Sequence, residues 1–191
     1  MSVPGATIAG VRELAWGTVS SPVGEISVGC SAAGVSRVRF GPPPSGHEPG
    51  DGAASRQLAL ALAEVSEYFT AGRRTFTLPV DWSGCTQAQR TVLPVLLDSV
   101  GFGETVSYGA LARRAGLATD GPLPPARVVG QIMGSNPCPV IVPCHRVVAG
   151  DGLGGFSGGT GVEVKRWLLI FEGALPPTLD WDPAGPMAGL R

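Results

Sequence analysis

The sequence predicts an α+β protein: a small sheet with one covering helix in its first half, and a mostly helical second half. Three observations carry this. Residues 14–40 hold three short β-branched or alternating runs separated by turn signals. Residues 55–70 repeat apolar side chains at helical spacing, and beyond residue 84 helical patterns succeed one another between Pro- and Gly-rich turns. With 191 residues, 43% of them hydrophobic, the chain can bury one medium core or two small ones. The change in texture divides it into a scaffold domain at 1–83, a second domain at 84–175 and a tail at 176–191.

In the first half, Leu14–Val19, Ile26–Cys30 and Val35–Phe40 read as strands of an antiparallel meander, with turns at Ser20–Gly24 and Ala32–Gly34. Residues 41–54 form a Pro/Gly loop. Ser55–Thr70 places Leu58, Leu62, Val65 and Phe69 on one helical face and stops at Ala71-Gly72. Phe76–Val80 reads as one more strand. None of this carries visible chemistry.

The second half opens with a helix over Thr86–Val100, in which Pro94 predicts a kink or a late start. Ser107–Ala115 is a short helix ending at Gly116. Pro125–Met133 is another, with Pro124 and Pro125 in a first turn that needs no amide donor. Two short helices around a turn suggest a helix-turn-helix, whose second helix normally meets DNA. Residues 150–161, G-D-G-L-G-G-F-S-G-G-T-G, lack the G-x-x-x-x-G-K-[ST] pattern of a phosphate cradle and read as a wing or lid. Val162–Glu172 is a closing helix.

A net charge of −1 excludes a broad basic field that grips many phosphates, though not a local footprint. The four cysteines, Cys30, Cys85, Cys138 and Cys144, show no C-x-x-C spacing. His47 is the only histidine besides His145, so a compact zinc site is not expected. No signal peptide or spanning apolar run is present, which predicts a reducing cytosol where a thiol stays free.

The most informative string is P-V-I-V-P-C-H-R-V-V at 139–148. It puts the Cys144 thiol directly before the His145 imidazole, at the end of a run that reads as a buried strand. A thiol becomes a strong nucleophile only as thiolate, and an adjacent base makes that accessible near neutral pH. A Cys-His dipeptide alone is more often a structural cysteine beside a surface histidine; its context decides.

That context is G-E-T-V-S-Y-G-A-L-A at 103–112, R-V-V-G at 127–130, S-N-P at 135–137, P-C-H-R-V-V at 143–148 and K-R-W-L-L-I-F-E-G at 165–173. Over residues 86–173 the chain resembles the O6-alkylguanine-DNA alkyltransferases, and more loosely over 14–83. The resemblance implies a ribonuclease H-like N-terminal α/β domain followed by a winged helix-turn-helix-like domain. It implies direct-reversal DNA repair: the alkylated nucleotide is flipped from the stack, and its alkyl group passes irreversibly to Cys144, once per molecule.

By the same resemblance His145 is the general base, acting through water, with Glu172 holding the imidazole in its useful tautomer; Tyr108 protonates the departing guanine; Asn136 braces the turns before the cysteine. Arg127 fills the stack, with Ala126, Val128, Gly130, Tyr108 and Arg146 also at the DNA. Val147, Val148, Phe156, Ser157 and Gly158 line the base pocket. No cofactor or metal is implied. The partner is double-stranded DNA carrying O6-alkylguanine, with O4-alkylthymine as a second candidate lesion; the protein is expected to be a cytoplasmic monomer. Lys165, the only lysine, is expected near the wing, favouring the Cys144 thiolate. The 117–126 turn is longer than the family's usual one, and Val128 replaces a smaller residue. Competing readings are a lesion-binding relative that flags damage, a helix-turn-helix transcription factor and a cysteine hydrolase. The first of these types lacks the acceptor cysteine, and adjacency of Cys and His disfavours the last.

Overall fold

The computed structural model describes residues 14–46, 52–118, 120–159 and 161–178. His47, part of the first Pro/Gly loop and most of the tail lie outside them. The meander is present: β1 (Ala15–Ser21), β2 (Gly24–Ser31) and β3 (Gly34–Phe40) form an antiparallel sheet in that order. Its register runs from Ala15↔Cys30 to Ser21↔Gly24, then from Ile26↔Phe40 to Ser31↔Gly34, with a bulge at Gly29/Cys30. Helix α1 (Gly52–Thr70) lies across all three strands. Its buried side chains are Ala61, Glu64, Val65, Tyr68 and Phe69, while Leu58 and Leu62 are only half-covered. The inward face is therefore rotated from the one its leucines suggest, toward the aromatic pair.

Phe76–Val80 is not a strand. Only Val80 makes a parallel bridge, to Val35, through Val35 N–H donating to Pro79 O at 2.9 Å and Asp81 N–H donating to Val35 O at 2.8 Å. Pro79 has no N–H with which to extend a ladder. The exposed edge of β3 is thus covered by short pieces, a second being Val38 N–H to Pro137 O at 2.8 Å. That bond ties the sheet to the turn leading to Cys144.

Helix α2 (Gln87–Ser99) starts at a capping box. Gln89 N–H donates to Thr86 Oγ1 at 3.2 Å and Thr86 N–H to Gln89 Oε1 at 2.9 Å. The helix runs through Pro94 with no late start. Helices α3 (Tyr108–Arg114), capped by Ser107, and α4 (Pro125–Gly134) pack on each other as the helix-turn-helix pair. A two-residue parallel pair, β4 (Val106–Ser107) on β5 (Val147–Val148), was not legible in the sequence. It sets the start of α3 beside the segment that follows Cys-His-Arg. Helix α5 (Val162–Phe171) ends with Glu172 as its C-cap.

The 139–142 run is buried but is not a strand. Pro137, Pro139 and Pro143 interrupt any ladder. The chain instead turns, with Val142 N–H donating to Cys138 O at 2.8 Å, and enters a 3-10 turn at Cys144–Arg146. Val140 is the one non-glycine residue with positive φ among the described residues, at 74°, a strained state for a β-branched side chain.

Gly34 closes the second hairpin at φ 137°, and a Cβ there would fall on the Pro79 carbonyl. Gly34→Ala should therefore lower unfolding free energy by at least ~2 kcal/mol, read as a lower urea midpoint at unchanged slope.

Candidate active site

Turns deliver the reactive groups to one place. Asn136 closes the first: its Nδ2 donates to Val142 O at 2.8 Å and its Oδ1 accepts from Cys138 N–H at 3.1 Å. The side chain replaces the ladder bonds that the prolines deny, and holds strained Val140 between its two anchor points. Cys144, 3% exposed, then lies at a cavity of about 470 Å³ lined by Tyr108, Ala126, Gly130, Met133, Gly134, Gly155, Phe156 and Ser157. The small residues come from α4 and the wing. They leave room for a flat ring between the helix and Tyr108.

Behind the thiol lies a buried polar chain. His145 is fully buried and its Nε2 stands 2.9 Å from Glu172 Oε1. Burial disfavours the charge on Glu172, but the hydrogen bond and charge of His145, then those of Arg146, hold its carboxyl well below the usual carboxylate range. An ionised carboxylate can only accept, so Nε2 carries the proton and Nδ1 is left with its lone pair. Nδ1 is also the buried side-chain nitrogen without a hydrogen-bond partner among the described residues. Burial lowers the His145 pKa, with Glu172 opposing, so near neutral pH the imidazole is an uncharged base.

Burial pushes the Cys144 thiol up to about 11, against the Asn136 amide and the Lys165 charge. At rest it is a thiol and needs a base to react. Lys165 is fully buried and donates from Nζ to Val147 O at 2.6 Å and to Gly155 O at 3.1 Å. Its ammonium lies 5.8 Å from the centre of the Tyr108 ring. Burial brings its pKa down to about 8, which the Cys144 charge resists. The Tyr108 hydroxyl reaches Gly155 O only at 3.4 Å. Gly154, at φ 69°, passes so close that a Cβ would lie 2.9 Å from that ring.

On the outer side, α4 presents exposed Arg127 beside an open groove of about 640 Å³ shared by Tyr108, Leu123, Ala126, Gly130 and Gln131. Leu123 brings the long inter-helix turn to this groove. The groove and the thiol cavity share Tyr108, Ala126 and Gly130, so an exposed helix face leads directly to the thiol.

Residues 87–174 match the model of the 6-O-methylguanine DNA methyltransferase DNA-binding domain. A DNA base-flipping protein of Thermus thermophilus is 40% identical over 81% of this chain and 97% of its own length. The methylated-DNA–protein-cysteine methyltransferase of Rattus norvegicus is 35% identical over 96% of this chain and 91% of its own. Among solved structures, the OGT of Mycobacterium tuberculosis in complex with DNA superposes with a TM-score of 0.67 at 31% identity. That match covers 83% of this chain and 93% of the other. The chain belongs to the O6-alkylguanine-DNA alkyltransferase family, the methylated-DNA–protein-cysteine methyltransferases.

Within that family frame the structure brings Cys144, His145, Glu172, Asn136 and Tyr108 together, and sets Ala126, Gly130, Phe156 and Ser157 around the cavity. Val128 is half-buried against the core. Four sequence assignments change. Arg146 does not face DNA: it is buried, with Nε and Nη2 donating to the two Glu172 oxygens at 2.9 Å each and Nη1 to Val100 O at 2.8 Å. The Glu172 charge draws it inward. Val147 is fully buried where β5 pairs with β4, and neither it nor Val148 lines the cavity. Gly158 instead seats the wing on Phe40, whose ring would meet any Cβ there. Met133 and Gly134 were missed. The signal was their position, about one turn beyond Gly130 on the helix face that carries Ala126.

Lys165→Met keeps the stem and removes the charge. Its expected effect is an upward move of the Cys144 pKa, followed as iodoacetamide reactivity against pH; an unmoved profile excludes electrostatic help from Lys165.

Proposed function

We propose that this protein repairs alkylated DNA by transferring the alkyl group of O6-alkylguanine to Cys144, one molecule per lesion. The observation that carries the reading is the buried Cys144–His145–Glu172 series at a cavity reached from a helix-turn-helix face. Family membership and the DNA-bound structural relative support DNA as substrate. The near-zero net charge fits a small footprint on duplex DNA, with the DNA-binding and acceptor functions within residues 84–175.

An alkyl group on O6 lies within the base stack, so its carbon meets a buried sulfur only if the nucleotide rotates out, at a cost of a few kcal/mol. Exposed Arg127 fills the gap. His145 Nδ1 takes the thiol proton through water, and Sγ attacks the alkyl carbon. The C–O6 bond breaks and its electron pair stays on the guanine, which gains a proton from the Tyr108 hydroxyl. Afterwards His145 loses and Tyr108 regains a proton by exchange with solvent. A thioether has no leaving group that these residues can activate, so turnover stops at one. The carbonyl at C4 of thymine has the same alkyl-ether chemistry when modified, which places O4-alkylthymine second. The protein acts as a monomer in a reducing cytosol, where all four cysteines stay free as they are here. Among the described residues no helix is long and apolar enough to cross a membrane.

A second reading is lesion binding without transfer; the Thermus thermophilus relative, named a DNA base-flipping protein, supports its base-flipping part. Cys144 at the cavity argues for transfer. Mixing the protein with duplex DNA holding one O6-methylguanine should add a single methyl to the Cys144 peptide by mass spectrometry, and nothing in Cys144→Ala. Lesion binding without mass gain would establish the second reading. His145→Ala should slow transfer roughly 10²-fold or more at neutral pH, with the rate recovering as pH approaches that of thiol ionisation.

A further inference from the structure

One polar contact to the relay comes from the half of the chain that otherwise has no chemistry. Tyr68, near the end of α1, is fully buried, and its hydroxyl donates to Glu172 Oε1 at 2.6 Å across 104 residues of sequence. Its ring is enclosed by Phe69, Phe76, Phe102 and Phe171, with centroids 4.8 to 6.0 Å away. The ring has nowhere to rotate, so the hydroxyl is fixed on that oxygen.

Oε1 is the oxygen that faces His145 Nε2, and it also accepts from Arg146 Nη2 at 2.9 Å. Three donors thus share one oxygen that offers two lone pairs. Each donor draws off charge that the others would use. An imidazolium gains more from a bare carboxylate oxygen than a neutral imidazole does, so every further donor on Oε1 makes His145 less basic.

We propose that Tyr68 is a positioning residue of the transfer site, whose hydroxyl shares Glu172 Oε1 with His145 and so sets the basicity of the imidazole. The inference rests on the reading of His145 as the base for Cys144. The charged and titratable groups around the relay are Tyr68 from α1, Arg146 and Cys144 from the 3-10 turn, Lys165 and Glu172 from α5, and Tyr108 from α3. Arg74 sits one ring away, 5.6 Å over Phe102. Of these, Tyr68 and Arg146 compete with His145 for Oε1. Arg146 is also bound to Oε2 and Val100 O, so Tyr68 is the contact that can be removed alone. Burial and the Glu172 charge hold its phenol well above the ordinary value, so it remains a donor throughout the working range.

The test is the single-turnover rate of methyl uptake from an O6-methylguanine duplex as a function of pH. The acid limb reports the pH at which the Cys144–His145 pair gains its second proton and loses its base. Tyr68→Phe should move that limb up by roughly 0.5–1 unit. Site-specific 3,5-difluorotyrosine at position 68, a stronger donor on the same ring, should move it down. Phe76→Leu loosens the same aromatic cluster without touching Glu172, and should lower thermal stability while leaving the limb in place. An unmoved limb in both position-68 variants, or an equal shift in Phe76→Leu, overturns the role of the hydroxyl. If Tyr68→Phe does not fold, the fluorinated protein alone decides by the direction of its shift. Failure of the wild-type protein to take up methyl would refute the transfer reading itself, and the inference with it; transfer with an unmoved limb refutes only the inference.

Discussion

The polar chain behind the thiol is arranged about one buried negative charge. The Glu172 carboxylate has no exposed side-chain surface, and a lone carboxylate there would protonate rather than persist. It persists because donors converge on it from separate parts of the chain: Tyr68 from α1, and His145 and Arg146 from the 3-10 turn. Removing one partner of such a buried pair typically costs about 3–5 kcal/mol, on the order of half of a domain's net stability. The same charge that closes the fold also dictates the His145 tautomer. Folding and chemistry therefore share one requirement, and Arg146 serves it by stabilising the anion rather than by touching DNA.

The turn at 136–143 meets the complementary need. A thiol on a regular strand would project at a spacing set by the pleat. Here three prolines forbid the ladder, Asn136 supplies hydrogen bonds in its place, and Val140 accepts a positive φ. The strain of that residue, of order 1–3 kcal/mol, persists because both ends of the turn are fixed. Pro137 O is bonded to β3 on one side and Cys144 begins a 3-10 turn on the other. The N-terminal sheet is in this sense the anvil of the site. It holds the turn through Val38 and the wing through Phe40, whose ring meets Phe156 edge-on at 6.3 Å.

What the sequence made legible follows from how local each feature is. Strands β1–β3 and helices α1–α5 were written in short-range patterns: alternation, helical spacing, Pro125 at a first turn; the start of α1 was not, for the helix begins at Gly52 inside the stretch that reads as a loop. Cys144 and His145 were visible because they are adjacent. The features that went unread are those decided by a distant partner. Arg146, which the resemblance puts at the DNA, is drawn inward by the Glu172 charge, 26 residues later. The strand-like apolar run Val140–Val142 was outweighed by the prolines that flank it, and the Phe76–Val80 strand by Pro79. Tyr68 had the pattern of an ordinary core aromatic, which its ring is; only its oxygen is different.

The resting thiol gives the last constraint. With burial pushing Cys144 up to about 11, little thiolate exists near neutral pH, and a solvent-borne electrophile meets a weak nucleophile. In the proposed reading this is what single-use chemistry requires, because each stray alkylation would consume a molecule. His145 is correspondingly uncharged and mildly basic, held so by burial and by the donors that compete for Glu172. Neither group reacts alone. In the proposed reading a flipped base fills the cavity and brings an alkyl carbon to the sulfur while the imidazole lone pair stands ready for the proton. On that reading reactivity is conferred by the lesion rather than stored in the protein.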